Sequence, residues 1–148
     1  MKVNLLFAAC LAATFSYAQS SGVMELDNED NGDYSTFNYL NEEQEARIYL
    51  TGENHNFLHQ NYKTQLKFFK YLHENKGVDH YIFEFGEGAI YMFNAFLQGD
   101  EGAQEFVEES TFNQQGDFLI SLKEYYDEQK AAGHPFELHS ADLDHDMG

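Results

Sequence analysis

Residues 58–86 read LHQNYKTQLKFFKYLHENKGVDHYIFEFG, and a change of period inside this stretch decides the fold. Leu58, Tyr62, Leu66, Phe69 and Leu72 recur three and four apart, while Lys63, Lys67, Lys70 and Glu74 lie off that stripe. Residues at this spacing stack on one face of a helix, so the pattern predicts an amphipathic helix with its apolar stripe buried. Asn75-Lys76-Gly77 ends it, because glycine accepts the left-handed conformation of a helix C-terminus and the lysine complements the helix dipole. Tyr81-Ile82-Phe83-Glu84-Phe85-Gly86 then predicts a short apolar strand closing on glycine.

Upstream, Ala46-Arg47-Ile48-Tyr49-Leu50-Thr51-Gly52 predicts an earlier strand, also closing on glycine. Downstream, helical segments are expected around Ala89 to Leu97, Gly102 to Glu109 and Phe118 to Lys130, and Gly133-His134-Pro135 interrupts them. Phe136 to Ala141 gives a third strand. Strand, helix, strand, helices, strand is the order of an α/β fold with a parallel sheet and crossover helices, since parallel neighbours need long connections. With three strands the strand order is incomplete, and the last of them lies close to Gly148, so a truncated domain is expected. A sheet with an uncovered edge associates readily, so residues 19–148 alone are expected to be marginally stable or self-associating.

The N-terminus carries Lys2, the apolar run Leu5 to Phe15, and the small-x-small pattern Ser16-Tyr17-Ala18 before Gln19. That order predicts a secretory signal peptide over residues 1–18 and an exported protein, periplasmic or extracellular. A rival reading takes Phe7-Ala8-Ala9-Cys10 as a lipobox. Cys10 is the only cysteine, so cleavage after Ala18 leaves neither a disulfide nor a thiol nucleophile. The remaining sequence offers no stretch of about 20 apolar residues to span a membrane. Residues 19–45 are dominated by Asp, Asn, Glu, Ser and Gly and read as a mobile acidic lead-in, which leaves residues 46–148 as the α/β domain. Acidic residues number 26 against 8 basic ones, a net charge of -18, and such a surface repels phosphate backbones; nucleic acid is not an expected partner.

In open parallel sheets ligands bind beyond the carboxyl ends of the strands. Those ends carry Glu53 and His55, then Glu84 and Glu87, then Asp142, Asp144 and His145. His55 follows Gly52-Glu53-Asn54 at the start of a helix, where an imidazole can act as a general base or bind a metal. The plainer alternative is that Asn54 or Asn56 caps the helix and His55 is simply exposed. His55 and His59 are four apart and can chelate one ion from one helix face, although such pairs are common without metal. Glu84 sits between Phe83 and Phe85, where a carboxylate covered on both faces must be paired, hydrogen-bonded or protonated. Tyr39, Tyr49, Tyr62, Tyr81 and Tyr91 can in principle ligate haem iron, though most tyrosines at such spacing belong to the core or its rim. No G-x-S-x-G nucleophile elbow is present.

Gly52-Glu53-Asn54-His55, the helix after it, the strand reaching Glu84, Ala95-Phe96-Leu97-Gln98-Gly99-Asp100 and the closing Ala141-Asp142-Leu143-Asp144 together resemble the N-terminal part of the erythromycin esterase/ChaN-like (TraB/Tiki) superfamily. The resemblance implies a hydrolase-type domain with His55 as water-activating base, Glu53 and Glu84 as carboxylate partners or metal ligands, and Asp142 at the cleft floor. His55, His59 and Glu84 form the expected metal set, Glu87, Asp144 and His145 line the expected cleft, and a small molecule is the expected substrate. Only Asn54 separates Glu53 from His55, a spacing closer to ChaN-like members, which implies as alternatives a haem- or iron-binding exported protein or an inactive fragment. A divalent metal or haem is the cofactor these readings imply.

Overall fold

The structure, a computed structural model, describes residues 32–41, 46–52, 55–110 and 113–142. Among these residues it is an α/β arrangement of four α-helices beside a small parallel sheet. Helix α1 runs Leu58–Lys76, strand β1 His80–Phe83, α2 Glu87–Gln98, α3 Glu101–Ser110, α4 Asn113–Ala132 and strand β2 Glu137–Ser140. β1 and β2 pair in parallel, with His80 opposite Glu137 and Ile82 opposite His139. The helices α2, α3 and α4 lie between them in the chain.

α1 forms where its period predicts. Leu66, Phe69 and Leu72 are buried, and Gly77 closes the helix in the left-handed region (φ 67°) with its N–H donating to Leu72 O. The helix is buried more widely than a single stripe. Tyr71 and Lys67, both off that stripe, are also buried, because a second small cluster packs on this side. Its centre is Phe37, in a 3-10 helix over Ser35–Asn41. Tyr34, Phe37 and Leu40 recur every three residues, the repeat of a 3-10 helix. The Phe37 ring lies 5.3 Å from Tyr71 and 5.1 Å from Phe68. Tyr34 donates its hydroxyl to Glu74 Oε1 (3.1 Å), and Lys76 Nζ donates to Leu40 O (3.0 Å). Part of the segment read as a mobile lead-in is therefore fastened to α1.

The main core lies between one face of the sheet and α1, α2 and α4. Phe83 and Leu138 project into it, and Phe69 joins the layers, stacked on Tyr81 at 4.7 Å and edge-on to Phe136 at 4.9 Å. Leu97, Leu119 and Leu122 fill its centre with almost no exposure. α2 ends at Gly99, also left-handed (φ 91°), and Asp100 caps the next helix by accepting the Ala103 N–H at 2.9 Å. α2 also closes the free edge of β2. Asn94 Nδ2 donates to Leu138 O (2.9 Å) while the Leu138 N–H donates to Asn94 Oδ1 (3.1 Å), so one side-chain amide stands in for a neighbouring strand.

Two expectations are corrected. Among the described residues the sheet has two strands, because residues 46–52 take no strand hydrogen bonds. Tyr49 of that segment packs edge-on against Phe68 at 6.5 Å, whereas Ile48 and Leu50 are 78% and 92% exposed. A cavity of about 620 Å³ is lined by this segment and by residues of β1 and α1. Among the described residues the sheet is also covered on one face only. Ile82, on the face opposite Phe83, is 61% exposed. Among the described residues no helix is long and apolar enough to cross a membrane.

Candidate metal centre

Side chains alternate across a strand, so a residue of β1 and its partner in β2 share a face. Tyr81, Phe83 and Leu138 go to the core; His80, Ile82, Glu137 and His139 go to the open face. The register sets His80 beside Glu137, with His139 two residues further along the same face. His80 Nδ1 lies 2.8 Å from His139 Nε2, one ring donating the hydrogen and the other accepting it. Glu137 Oε2 is 3.9 Å from the same His139 nitrogen. One atom from each of the three residues falls within 4.8 Å of the others.

These separations suit a transition-metal ion. Zinc binds imidazole nitrogen and carboxylate oxygen at about 2.0–2.2 Å, which sets tetrahedral ligands about 3.3 Å apart. The two contacts around His139 Nε2 lie on either side of that value, and all three donors lie within 4.8 Å of one another. The donor set is two imidazoles and one carboxylate, the set of hydrolytic zinc sites and of the non-haem iron facial triad, both of which keep a position open for water or substrate. The open sheet face gives that access. Glu137 supplies a local negative charge, and the net charge of -18 raises the cation concentration around the whole molecule.

Of the residues singled out from sequence, Glu84, Glu87 and Asp142 lie elsewhere. Glu84 sits one residue beyond β1, exposed, because Phe83 and Phe85 on either side turn inward, 6.1 Å apart. It is therefore solvated and not trapped between covered faces as expected. Glu87 opens α2 and is exposed; Asp142 follows β2 and is half-buried. The two strand ends do meet. Ser140 Oγ donates to Phe85 O at 2.7 Å, with Asp142 O at 3.0 Å, and the Ala141 N–H donates to Phe83 O at 2.9 Å. Glu84, Glu87 and Asp142 form no three-residue metal cluster among the described residues. His55 opens a short 3-10 helix, His55–Phe57, and His59 follows in α1; their backbones are described and their side chains are not. Glu53, Asp144 and His145 lie outside the described residues.

The His80, Glu137 and His139 cluster was missed because its two halves are 57 and 59 residues apart in sequence and meet only through the strand register. The signal that was present is Glu137-Leu138-His139, an i, i+2 pair of ligand types around a leucine, which on a strand puts both on one face. Of the tyrosines, Tyr81 is held by Phe69 and donates to Gln65 Oε1 at 3.2 Å, while Tyr39 and Tyr91 are exposed. No protein-family model, curated protein or solved structure matches this chain.

Proposed function

We propose that this protein binds a divalent transition metal, zinc or ferrous iron, through His80, Glu137 and His139, and that the bound ion activates water for hydrolysis of a small extracytoplasmic molecule. The observation that supports it is the convergence of two imidazoles and a carboxylate on one open sheet face. Deprotonated imidazole and carboxylate are the forms a metal needs, and the ion would replace the hydrogen shared by His80 and His139. When bound, the metal would polarise its water or a substrate carbonyl as a Lewis acid. Glu137 would neutralise part of the ion's charge, and the two rings would hold it on the sheet. A hydrolase class and a place in the erythromycin esterase/ChaN-like superfamily with a fuller crossover-helix sheet rest on the sequence resemblance, which puts the chemistry at His55, Glu53 and Glu84, and export rests on the signal-peptide pattern of residues 1–18. The iron form of the centre corresponds to the iron-binding alternative.

Competition titration with a chromogenic chelator tests the centre. Wild-type chain should take up one zinc per molecule, and His80→Ala and His139→Ala should each weaken binding about 100-fold or more, roughly 3 kcal/mol. Cobalt substitution should give visible bands of low-coordinate geometry, and hydrolysis of p-nitrophenyl acetate should rise with metal occupancy. Equal zinc affinity in wild type and both variants would sink the metal reading. Stoichiometric zinc without metal-dependent hydrolysis would leave a binding protein and remove the hydrolase.

A further inference from the structure

The cavity between residues 46–51 and β1 shares one residue with the metal cluster, His80, while Glu137 and His139 do not line it. From its size and lining we infer that it is a binding pocket for an apolar carboxylate, an aryl or medium-chain acid, whose ring or chain fills the cavity and whose carboxylate meets the metal held beside His80. This rests on the metal-centre reading above.

The cavity measures about 620 Å³, inside the range of small-molecule sites and ample for a bicyclic acid. Its floor is Phe68, Phe69 and Leu72 of α1, and its walls are Val78 and Ile82 on one side and Ile48 on the other. That lining desolvates an apolar body. Two of the chain's 8 basic residues, Arg47 and Lys76, also line it, against one acidic residue, Asp79. Lys76 is tied to Leu40 O, while the Arg47 side chain is exposed at the rim. In a molecule of charge -18, a cavity whose lining is net basic selects an anion over a cation. A carboxylate is the anion that also supplies an oxygen to an open position on zinc or iron. The wall built by residues 46–51 lacks strand pairing, so it can move outward to admit a ligand.

The probe is 2-naphthoate, titrated into the full chain with zinc bound and followed by methyl NMR, since the naphthalene ring shifts nearby methyl signals strongly. Ile48, Leu72, Val78 and Ile82 should shift in one saturable process while Leu119 and Leu122 stay fixed. Removing the metal with a chelator, or replacing the probe by 2-methylnaphthalene, should weaken binding about tenfold or more, and Arg47→Glu should weaken it in the same direction. Saturable shifts of equal affinity with and without zinc would overturn the metal-directed pose. An absence of shifts in protein shown to hold zinc would overturn the pocket and leave the metal centre standing. A chain that takes up no zinc in the chelator titration overturns both.

Discussion

Asn94→Ala is the substitution whose cost is best defined by the structure. The Asn94 amide makes two hydrogen bonds to Leu138, at 2.9 and 3.1 Å, on the edge of β2 that has no strand neighbour among the described residues. Leu138 is 2% exposed, so truncation leaves a backbone N–H and C=O short of partners with little room for replacement water. Each buried polar group left unsatisfied costs about 1–3 kcal/mol, and partial hydration of an edge strand puts the pair at about 2–4 kcal/mol. For a domain of roughly 100 residues 1 kcal/mol corresponds to about 4–8 °C, so a melting point about 10–30 °C lower is expected. Asn94→Asp keeps the acceptor for the Leu138 N–H and loses the donor; it should fall between. Circular dichroism melts and urea titrations of the three proteins supply the numbers, and light scattering should show that Asn94→Ala associates, because β2 then presents an open edge. A loss below about 1 kcal/mol without association would mean that α2 does not seal the sheet.

Three further outcomes follow from burial. Leu122, fully buried at the centre of the core, should cost about 2–5 kcal/mol as Leu122→Ala in urea unfolding, and a cost under about 1 kcal/mol would place the core elsewhere. His73 is buried among Phe69, Tyr125 and Phe136 with Nδ1 unpartnered, and burial lowers its pKa against the smaller raising effects of Asp79 and Glu74. The unfolded chain then takes the proton first, so stability present above about pH 6.5 should fall as pH drops toward the lower folded value; His73→Phe should flatten that part of the pH dependence, and an unchanged slope would contradict it. Tyr125, whose phenol burial pushes well above its ordinary value, should not ionise in the folded chain at pH 11, which ultraviolet difference spectra of native and urea-unfolded protein would show; full native ionisation there would be the contrary result.

Sequence periodicity located α1 and its end, because the apolar spacing and Gly77 each act within a few residues of chain. It also located both observed strands and the three helices between them to within a few residues at most ends. The segment at 46–52 has the composition of a strand, but strand formation depends on a partner at hydrogen-bonding distance, and composition does not provide one. Phe37 was overlooked because Tyr34, Phe37 and Leu40 make only two turns of a three-residue repeat inside an acidic, polar stretch, although the partners Tyr71 and Phe68 lie at the right places on α1. The metal candidates failed to be legible for a related reason. His80 and His139 become neighbours only through a parallel register, which local spacing does not reveal, while the side chains of the locally spaced pair His55 and His59 lie outside the described ones.

Zinc-soaked crystals examined by anomalous diffraction at the zinc edge test the metal centre most directly. One peak is expected within about 2.0–2.2 Å of a ring nitrogen of His80, a ring nitrogen of His139 and a Glu137 carboxylate oxygen, with a further position held by solvent or ligand. A peak at His55 and His59, at Glu84, or nowhere on the chain would contradict it.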